Sequence, residues 1–403
     1  MKNKYKVISL FSGAGGMDLG LVQAGFEILW ANDFDKDAVE TYRNNLGTHI
    51  VLGDISKINS SDINADKVDL VVGGFPCQGF SIANKNRNMQ DKRNFLYLEL
   101  LRIIKDKKPK IFLAENVKGL LSMEEGKVIK MIISDFEKIG YKVDYKLLNA
   151  ANYGVPQTRE RVIIIGNRCG VSNLFPEPTH NKDSYVSVSD SIGFLRNVGI
   201  VNNLVNKTLK VDNRIIYNHV AKDNVHDTFF ARVHQVKQEE ICDYLNFWKM
   251  KKKISSAKID QLLGYRHTAG HWFRKDNNSG SIPKANDWLK LKKLLEFDDK
   301  YDKAVCEFVQ KPIKFEQSLR ITNWDKPSDT ITATSPEIHI NKDRRLSVRE
   351  CALLQSFPDD FIFSGNISSM YRQIGNAVPV ALAKVIGLKL IEMLNKISQQ
   401  KAN

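Results

Sequence analysis

Through residues 1–170 the chain alternates short apolar runs with helix-period segments, and this alternation constrains the fold more than any other feature. Residues 6–12 (KVISLFS), 26–33 (FEILWAND), 68–75 (VDLVVGGF), 111–117 (IFLAENV), 141–148 and 161–166 (RVIIIG) read as strands. Between them, residues 35–46 set Ala38, Val39, Tyr42 and Leu46 at helical spacing behind an aspartate able to cap, and residues 94–105 and 125–139 read as helices. Strands this apolar must be covered on both faces, which predicts a doubly wound, mainly parallel α/β sheet. The pattern weakens over residues 180–343 and resumes at Arg344. There Ser347 and Glu350 form a capping-box pattern. Residues 379–397 read as an amphipathic helix with Pro379 in its first turn.

Charge narrows the function classes. The 403 residues carry a formal +14, which favours a polyanionic partner, nucleic acid first and an anionic membrane surface second, over a merely solvated basic surface. The excess is densest in the middle: residues 181–345 hold 29 Lys and Arg against 21 Asp and Glu. With 42% hydrophobic residues the chain is not disordered, and no run reaches the length of a membrane span. The start, MKNKYKVISLFSG, has no signal-peptide cleavage pattern. The five cysteines are odd in number and scattered without a C-x-x-C, so neither a disulfide framework nor a zinc site is expected. An intracellular, soluble, metal-free protein follows.

Several motifs carry chemistry. FSGAGGMDLG (Phe11 to Gly20) follows a strand and opens a helix, so its glycines let backbone approach a ligand at the sheet's carboxyl edge. Asp33 ends the next strand, twenty residues past Gly13, where an acid accepts from a ribose diol. The spacing departs from G-x-G-x-x-G, with aspartate at position 18. An acid at the helix start is unfriendly to a pyrophosphate and tilts the reading from a dinucleotide to S-adenosylmethionine (SAM). In GGFPCQGFS, Cys77 sits in a rigid Pro-containing loop and is either a nucleophile or a buried structural thiol. Glu115, ending an apolar run, is a candidate proton donor or a turn cap. In QTRER, Arg159 and Arg161 point to one side and can grip a base edge or phosphate, or form an ion-pair ladder with Glu160.

Taken in order, FSGAGG, PCQGFS, ENV, QTRER, RRLSVRE…QSFP and GNAVP resemble the ordered motif set of DNA (cytosine-5) methyltransferases. The resemblance spans nearly the whole chain apart from the middle. It implies a SAM-dependent, Rossmann-like fold with a doubly wound mixed sheet. The catalytic domain would be split in sequence, 1–180 and 344–403, around an inserted, smaller target-recognition domain at 181–343. Carried over residue by residue, it implies Cys77 as the nucleophile toward carbon 6 of a flipped-out cytosine. Glu115 would engage the ring nitrogen and exocyclic amine, and Arg161, with Arg159 behind it, would hold the base and the cysteine loop. Phe11, Ser12, Gly13, Gly15 and Gly16 match the SAM turn, Asp33 the ribose acid, and Phe34 the adenine-stacking aromatic, in place of the tryptophan often found there. Asp54 and Ile55 match the adenine-edge pair, and Asn376 and Val378 would close the pocket. Gln78, Ser81 and Arg93 belong to the loop that approaches DNA.

The middle segment YRHTAGHWFR is dense in base-reading residue types, with Arg266, His267 and Arg274 as candidate DNA contacts, or is a structural turn around a packed Trp272. The segment 328–332 (SDTIT) reads as framework at the domain junction. The expectation is therefore a bacterial, cytoplasmic, monomeric DNA (cytosine-5) methyltransferase from a restriction–modification system. It would act on double-stranded DNA beside a cognate restriction endonuclease. A tRNA-methylating enzyme of the same fold would keep Cys77 and Glu115. A catalytically silent nucleic-acid binder would not need them, and a nicotinamide dehydrogenase would leave PCQ, ENV and QTRER unexplained.

Overall fold

The computed structural model describes residues 4–65, 67–75, 96–201, 208–221, 238–267, 272, 283–310, 320–334, 336–341 and 343–400. Strands β1 (Lys6–Leu10), β2 (Glu27–Asp33), β3 (Ile50–Leu52), β4 (Leu70–Gly73), β5 (Ile111–Val117), β6 (Lys142–Asn149) and β7 (Glu160–Asn167) form one sheet in the order β3-β2-β1-β4-β5-β7-β6. The first five are parallel, and β7 runs antiparallel to both its neighbours. Chain length explains the reversal. Only ten residues link Asn149 to Glu160, fewer than the dozen or so that a parallel crossover requires. The sheet is thus mixed. Its order reverses between β1 and β4, which is where an open α/β sheet binds ligands.

Each face of the sheet is buried by its own helices. Helices α1 (Gly16–Ala24), α2 (Lys36–Asn45), α3 (Leu96–Lys107) and α4 (Lys127–Lys138) follow their strands, and a last helix, Val380–Gln400, returns the end of the chain to the start. That helix turns Leu382, Ile386, Leu390 and Met393 toward Val7, Leu21 and Phe26 in one cluster. The opposite cluster joins Ile8 and Leu10 to Leu100, Ile103, Ile132 and Phe136 from α3 and α4. Consecutive strand residues serve opposite faces, Val162 and Ile164 one way, Ile163 and Ile165 the other. The helix pair α1 and 380–400 approaches closely because α1 carries glycines four residues apart. A Cβ at Gly16 would lie 2.6 Å from the Val378 carbonyl, and one at Gly20 would lie 2.5 Å from Ala383 Cβ.

The chain divides into two compact units. The first comprises Met1–Lys222, Ile321–Asn341 and Arg345–Asn403, and the second Asp223–Arg320 with Lys342–Arg344. These limits differ from 181–343. Residues 181–222 and 321–341 belong to the first unit, where α5 (Val188–Ile192) packs Val188 and Ile192 against Trp324 and Leu346, and a β8 (Leu209–Val211)–β9 (Arg214–Ile216) hairpin follows. The SDTIT segment lies along the QTRER segment: Gln157 bridges Ser328, and Thr330 Oγ1 donates to the Thr158 carbonyl at 2.7 Å. The second unit contains α6 (Gln238–Lys251), α7 (Ser256–Leu263), α8 (Ala285–Leu295) and α9 (Asp302–Gln310) around Trp272, Trp288, Leu291 and Val305. In the first unit, α10 (Val348–Leu354), α11 (Ile367–Asn376) and α12 (Val380–Gln400) complete the fold, and Ser347 and Glu350 form the expected capping box. Among the described residues no helix is long and apolar enough to cross a membrane.

Candidate active site

A cavity of about 660 Å³ opens at the carboxyl ends of β1, β2, β4 and β5, a volume in the range of ordinary ligand pockets. Its first wall is the glycine turn. Ser12 N donates to the Asn32 carbonyl at 3.0 Å, which seats the turn on the end of β2. Phe11 is held at φ 55°, a strained left-handed conformation for a bulky residue, and Gly13 and Gly15 continue the turn at positive φ. Asp33 accepts from Gly13 N at 2.8 Å through one oxygen and from Asp35 N at 2.9 Å through the other. Burial raises its pKa, and these main-chain hydrogen bonds oppose the rise. A carboxylate has about four lone-pair sites, so these main-chain hydrogen bonds leave acceptor capacity toward the cavity. Phe34 beside it is 72% exposed, an uncovered aromatic face on the cavity wall.

The second wall comes from β5 and β7. In their antiparallel register Glu115 faces Ile163 and Val117 faces Arg161, so Glu115 and Arg161 are diagonal neighbours on one face. Arg161 Nε meets Glu115 Oε1 at 2.8 Å, both side chains nearly buried. Burial pulls the Arg161 guanidinium below its usual pKa, and the Glu115 carboxylate opposes this. The free side of the carboxyl faces Gly74, where any Cβ would sit 3.1 Å from Glu115 Oε2. Asn116 donates from Nδ2 to the Phe75 carbonyl at 3.0 Å. The ENV motif therefore anchors the chain immediately before Pro76 and Cys77. Cys77, Gln78, Ser81 and Arg93 themselves lie outside the described residues.

The third wall is the C-terminal segment, in which Asn376 and Val378 line the cavity. Arg159 holds it. Its side chain is fully buried; Nη1 donates to the Ile331 carbonyl at 3.0 Å, and Nη2 to the Gly375 and Ala377 carbonyls at 2.7 and 3.0 Å. Burial lowers its pKa well below the usual range, Arg161 adds to that, and Glu115 opposes it. Nη1 and Nη2 are thus committed to three main-chain carbonyls, which ties the wall in place, while Arg159 itself also lines the cavity. Gln157, which sequence reasoning left without a role, works beside it: Nε2 donates to the Leu354 carbonyl at 3.3 Å, and Oε1 accepts from Ile331 N at 3.0 Å.

Other candidates take different positions. Asp54 and Ile55 do not line the cavity. Asp54 caps a short 3-10 turn by accepting from Ser56, and Ile55 is buried among Ile8, Leu10 and Ile63. In the second unit Arg266 is exposed, but His267 is buried, its main-chain N–H donating to Asp260 at 2.7 Å and its ring edge against Trp272. Trp272 in turn packs edge-on to Trp288. Trp272 is thus a packed residue; Arg274 lies outside the described residues. Asp18, Asp35 and Arg372 also line the cavity, and the sequence assigned them no role there. Asp18 was legible only as a departure from a glycine pattern. The Arg372–Asp35 pair, 2.8 Å apart, joins segments 337 positions apart, a separation that no local pattern reveals.

Against known proteins, residues 5–392 match the family model described as C-5 cytosine-specific DNA methylase. The chain is 36% identical over 400 residues to the Type II methyltransferase M.NgoFVII of Neisseria gonorrhoeae, covering 95% of this chain and 87% of that protein. It is 36% identical over 393 residues to the Type II methyltransferase M.FnuDI of Fusobacterium nucleatum, covering 96% and 95%. Among solved structures, an Escherichia coli prophage protein described as a DNA modification methyltransferase is similar, with TM-score 0.62, 23% identity, and coverage of 97% of this chain and 100% of that one. The methyltransferase EhMeth of Entamoeba histolytica gives a TM-score of 0.57 at 16% identity, with coverage of 98% and 99%. At those identities the two structures establish a shared fold.

Proposed function

This chain belongs to the C-5 cytosine-specific DNA methylase family, and on that premise we propose that it methylates carbon 5 of a flipped-out cytosine in duplex DNA through a covalent adduct with Cys77. The observation that carries the reading is one cavity lined at once by the Gly13–Asp33–Phe34 wall and by the Glu115–Arg161 pair. It gives a nucleoside-bearing methyl donor and a base a common chamber. As the relatives are Type II methyltransferases of bacteria, we read the chain as the modification half of a bacterial, cytoplasmic restriction–modification system, beside an endonuclease that reads the same site.

The residues fit SAM as the donor. Asp33 keeps acceptor sites for a ribose diol, and the Phe34 ring is open for stacking. Asp18 and Asp33 line the cavity at the glycine turn, while Asp35 beside them is paired with Arg372, a setting that disfavours a pyrophosphate at the turn. When bound, SAM supplies the methyl group as an electrophile on a sulfonium. The chain's own residues do the rest. Cys77 as thiolate adds to carbon 6 of cytosine, and the displaced electron pair makes carbon 5 nucleophilic. Glu115, oriented by Arg161, hydrogen-bonds the ring nitrogen and the exocyclic amine and supports the proton at that nitrogen while the adduct lasts. Once carbon 5 has gained its methyl and lost its proton, departure of Cys77 restores the aromatic ring. Extruding the base costs a few kcal/mol, and basic groups gripping the phosphates supply binding energy against that cost.

The test is methyl transfer by the purified full-length protein from labelled SAM, offered duplex DNA and tRNA in parallel, with bisulfite sequencing of DNA from cells that express it. Label in 5-methylcytosine of duplex DNA, within one short sequence context, is expected. Label confined to tRNA, or found on adenine, would overturn the reading.

A further inference from the structure

Asp18 is the third residue of α1, directly behind the glycine turn, and no step above uses it. Its side chain is wholly buried, yet it lines the cavity. Ser9 Oγ donates to Oδ1 at 2.7 Å and Tyr42 OH donates to Oδ2 at 2.8 Å. Ser12 Oγ extends the network to Ser9 Oγ at 3.0 Å, and Tyr42 OH meets His49 Nε2 at 3.0 Å. The carboxylate's hydrogen-bond donors are neutral hydroxyls, and no described cation pairs with it. Removing a carboxylate from water without a cation is expensive, so a retained one calls for a reason.

The charge state is set by its surroundings. Burial pushes the Asp18 carboxyl up to about 6, while Ser9 and Tyr42 hold it down against that rise, so it is ionised at pH 7.5. The first turn of a helix also stabilises an anion. Burial first, and then Asp18 itself, raise the Tyr42 phenol above its usual range, and burial lowers the His49 imidazole, so both are neutral. The network therefore presents one negative charge behind the turn. The other charged groups around the turn are Asp33 from β2, tied to main-chain N–H groups, and the Asp35–Arg372 pair.

We propose that Asp18 is a positioning residue that discriminates by charge, favouring the sulfonium-bearing methyl donor over the uncharged thioether left after transfer. The inference rests on SAM being the donor. Donor and product share their adenosine and amino-acid ends, so contacts from Asp33 and Phe34 are common to both. The two ligands differ at sulfur, by one methyl and one positive charge. A fixed anion behind the turn acts on that charge, holding the donor until transfer and releasing its grip once the charge is gone.

Calorimetry on the full-length protein at pH 7.5 tests this with three probes: SAM, S-adenosylhomocysteine, and sinefungin, which carries an ammonium group near the position of the sulfonium. Asp18→Asn is expected to weaken SAM and sinefungin about tenfold, equivalent to about 1.4 kcal/mol, and S-adenosylhomocysteine less than about twofold. Should Asp18→Asn not fold, Tyr42→Phe serves instead. It leaves the carboxyl in place but removes a hydroxyl that keeps it ionised, so its preference for SAM is expected to fall at pH 6.5 and recover at pH 8.5. Equal weakening of all three ligands, no change with Asp18→Asn, or a pH-independent preference in Tyr42→Phe overturns the proposal. Failure of the unaltered protein to bind SAM, sinefungin or S-adenosylhomocysteine overturns the donor reading, and this inference with it.

Discussion

Replacing Arg159 with methionine separates a supporting role from a catalytic one. The change keeps side-chain length but removes the donors to Ile331, Gly375 and Ala377. Each hydrogen bond from a charged group contributes about 1.5–3 kcal/mol, and each buried carbonyl left unpaired costs about 1–3 kcal/mol. The sum is not realised in full, because the guanidinium is itself desolvated and because residues 375–378 can move toward water. A net loss of about 3 kcal/mol is expected. The first unit has about 300 residues, and unfolding entropy is about 2 cal/mol/K per residue, so Tm should fall by about 5 °C. Release of the segment that carries Asn376 and Val378 should raise the KM for SAM at least about tenfold, with a smaller effect on the KM for DNA and on kcat, because local opening acts on the wall it frees. Hydrogen exchange at 375–378 should accelerate, and Arg159→Lys should be intermediate. Urea denaturation, steady-state kinetics and exchange mass spectrometry read these effects. Unchanged stability with a collapse in kcat alone would refute the argument and return Arg159 to the chemistry.

Three further outcomes follow from the same geometry. Gly20→Ala gains about 0.5–1 kcal/mol of helix propensity but drives a methyl to 2.5 Å from Ala383 Cβ and 2.6 Å from the Val380 carbonyl; a net destabilisation of about 1–2 kcal/mol is expected, and a raised urea midpoint would contradict it. The Asp18 pKa is raised from 3.8 to about 6, so the folded chain holds a proton there that the unfolded chain has lost. That contribution is complete below pH 4 and disappears as pH rises through 6, removing up to about 3 kcal/mol; the stability difference between the protein and Asp18→Asn, measured by denaturation at pH 4 and 7.5, should change by about that amount. DNA affinity should fall with salt at a log–log slope of about −0.9 per phosphate neutralised, and a flat response between about 50 and 200 mM would exclude a phosphate-gripping surface.

How far the sequence could be read depends on how local each determinant is. β5 at 111–117 coincides with its apolar run, and the capping box at Ser347 and Glu350 is where the pattern puts it. Both are set by neighbours a few positions away. The reversal of β7 was not in the apolar pattern, since RVIIIG reads alike in either direction; the short link from β6 decides it. The helices of the second unit were missed because lysines interrupt their stripes, as in α8, where Trp288, Leu291 and Leu295 form the buried face between Lys290, Lys292 and Lys293. At the site, Glu115 and Arg161 were named from motifs, and the register of β5 and β7 brings them to 2.8 Å. Arg159 was placed behind Arg161, but its three carbonyl partners could not be read locally, because they come from 172 to 218 positions away. Asp54 and Ile55 were read from the end of a strand-like stretch as well as from resemblance; in the structure the Ile55 side chain is buried in the core.

The central claim concerns one sulfur atom and is tested by trapping it. Duplex DNA in which 5-fluorocytosine replaces cytosine cannot lose the substituent at carbon 5 after methyl transfer, so Cys77 cannot leave. Incubated with this DNA and SAM, the protein should form a complex that survives denaturing electrophoresis and whose cross-linked peptide maps to Cys77. The complex should be absent without SAM and absent with Cys77→Ala. Methylation by Cys77→Ala, or trapping at Cys169, Cys242, Cys306 or Cys351, would contradict the account.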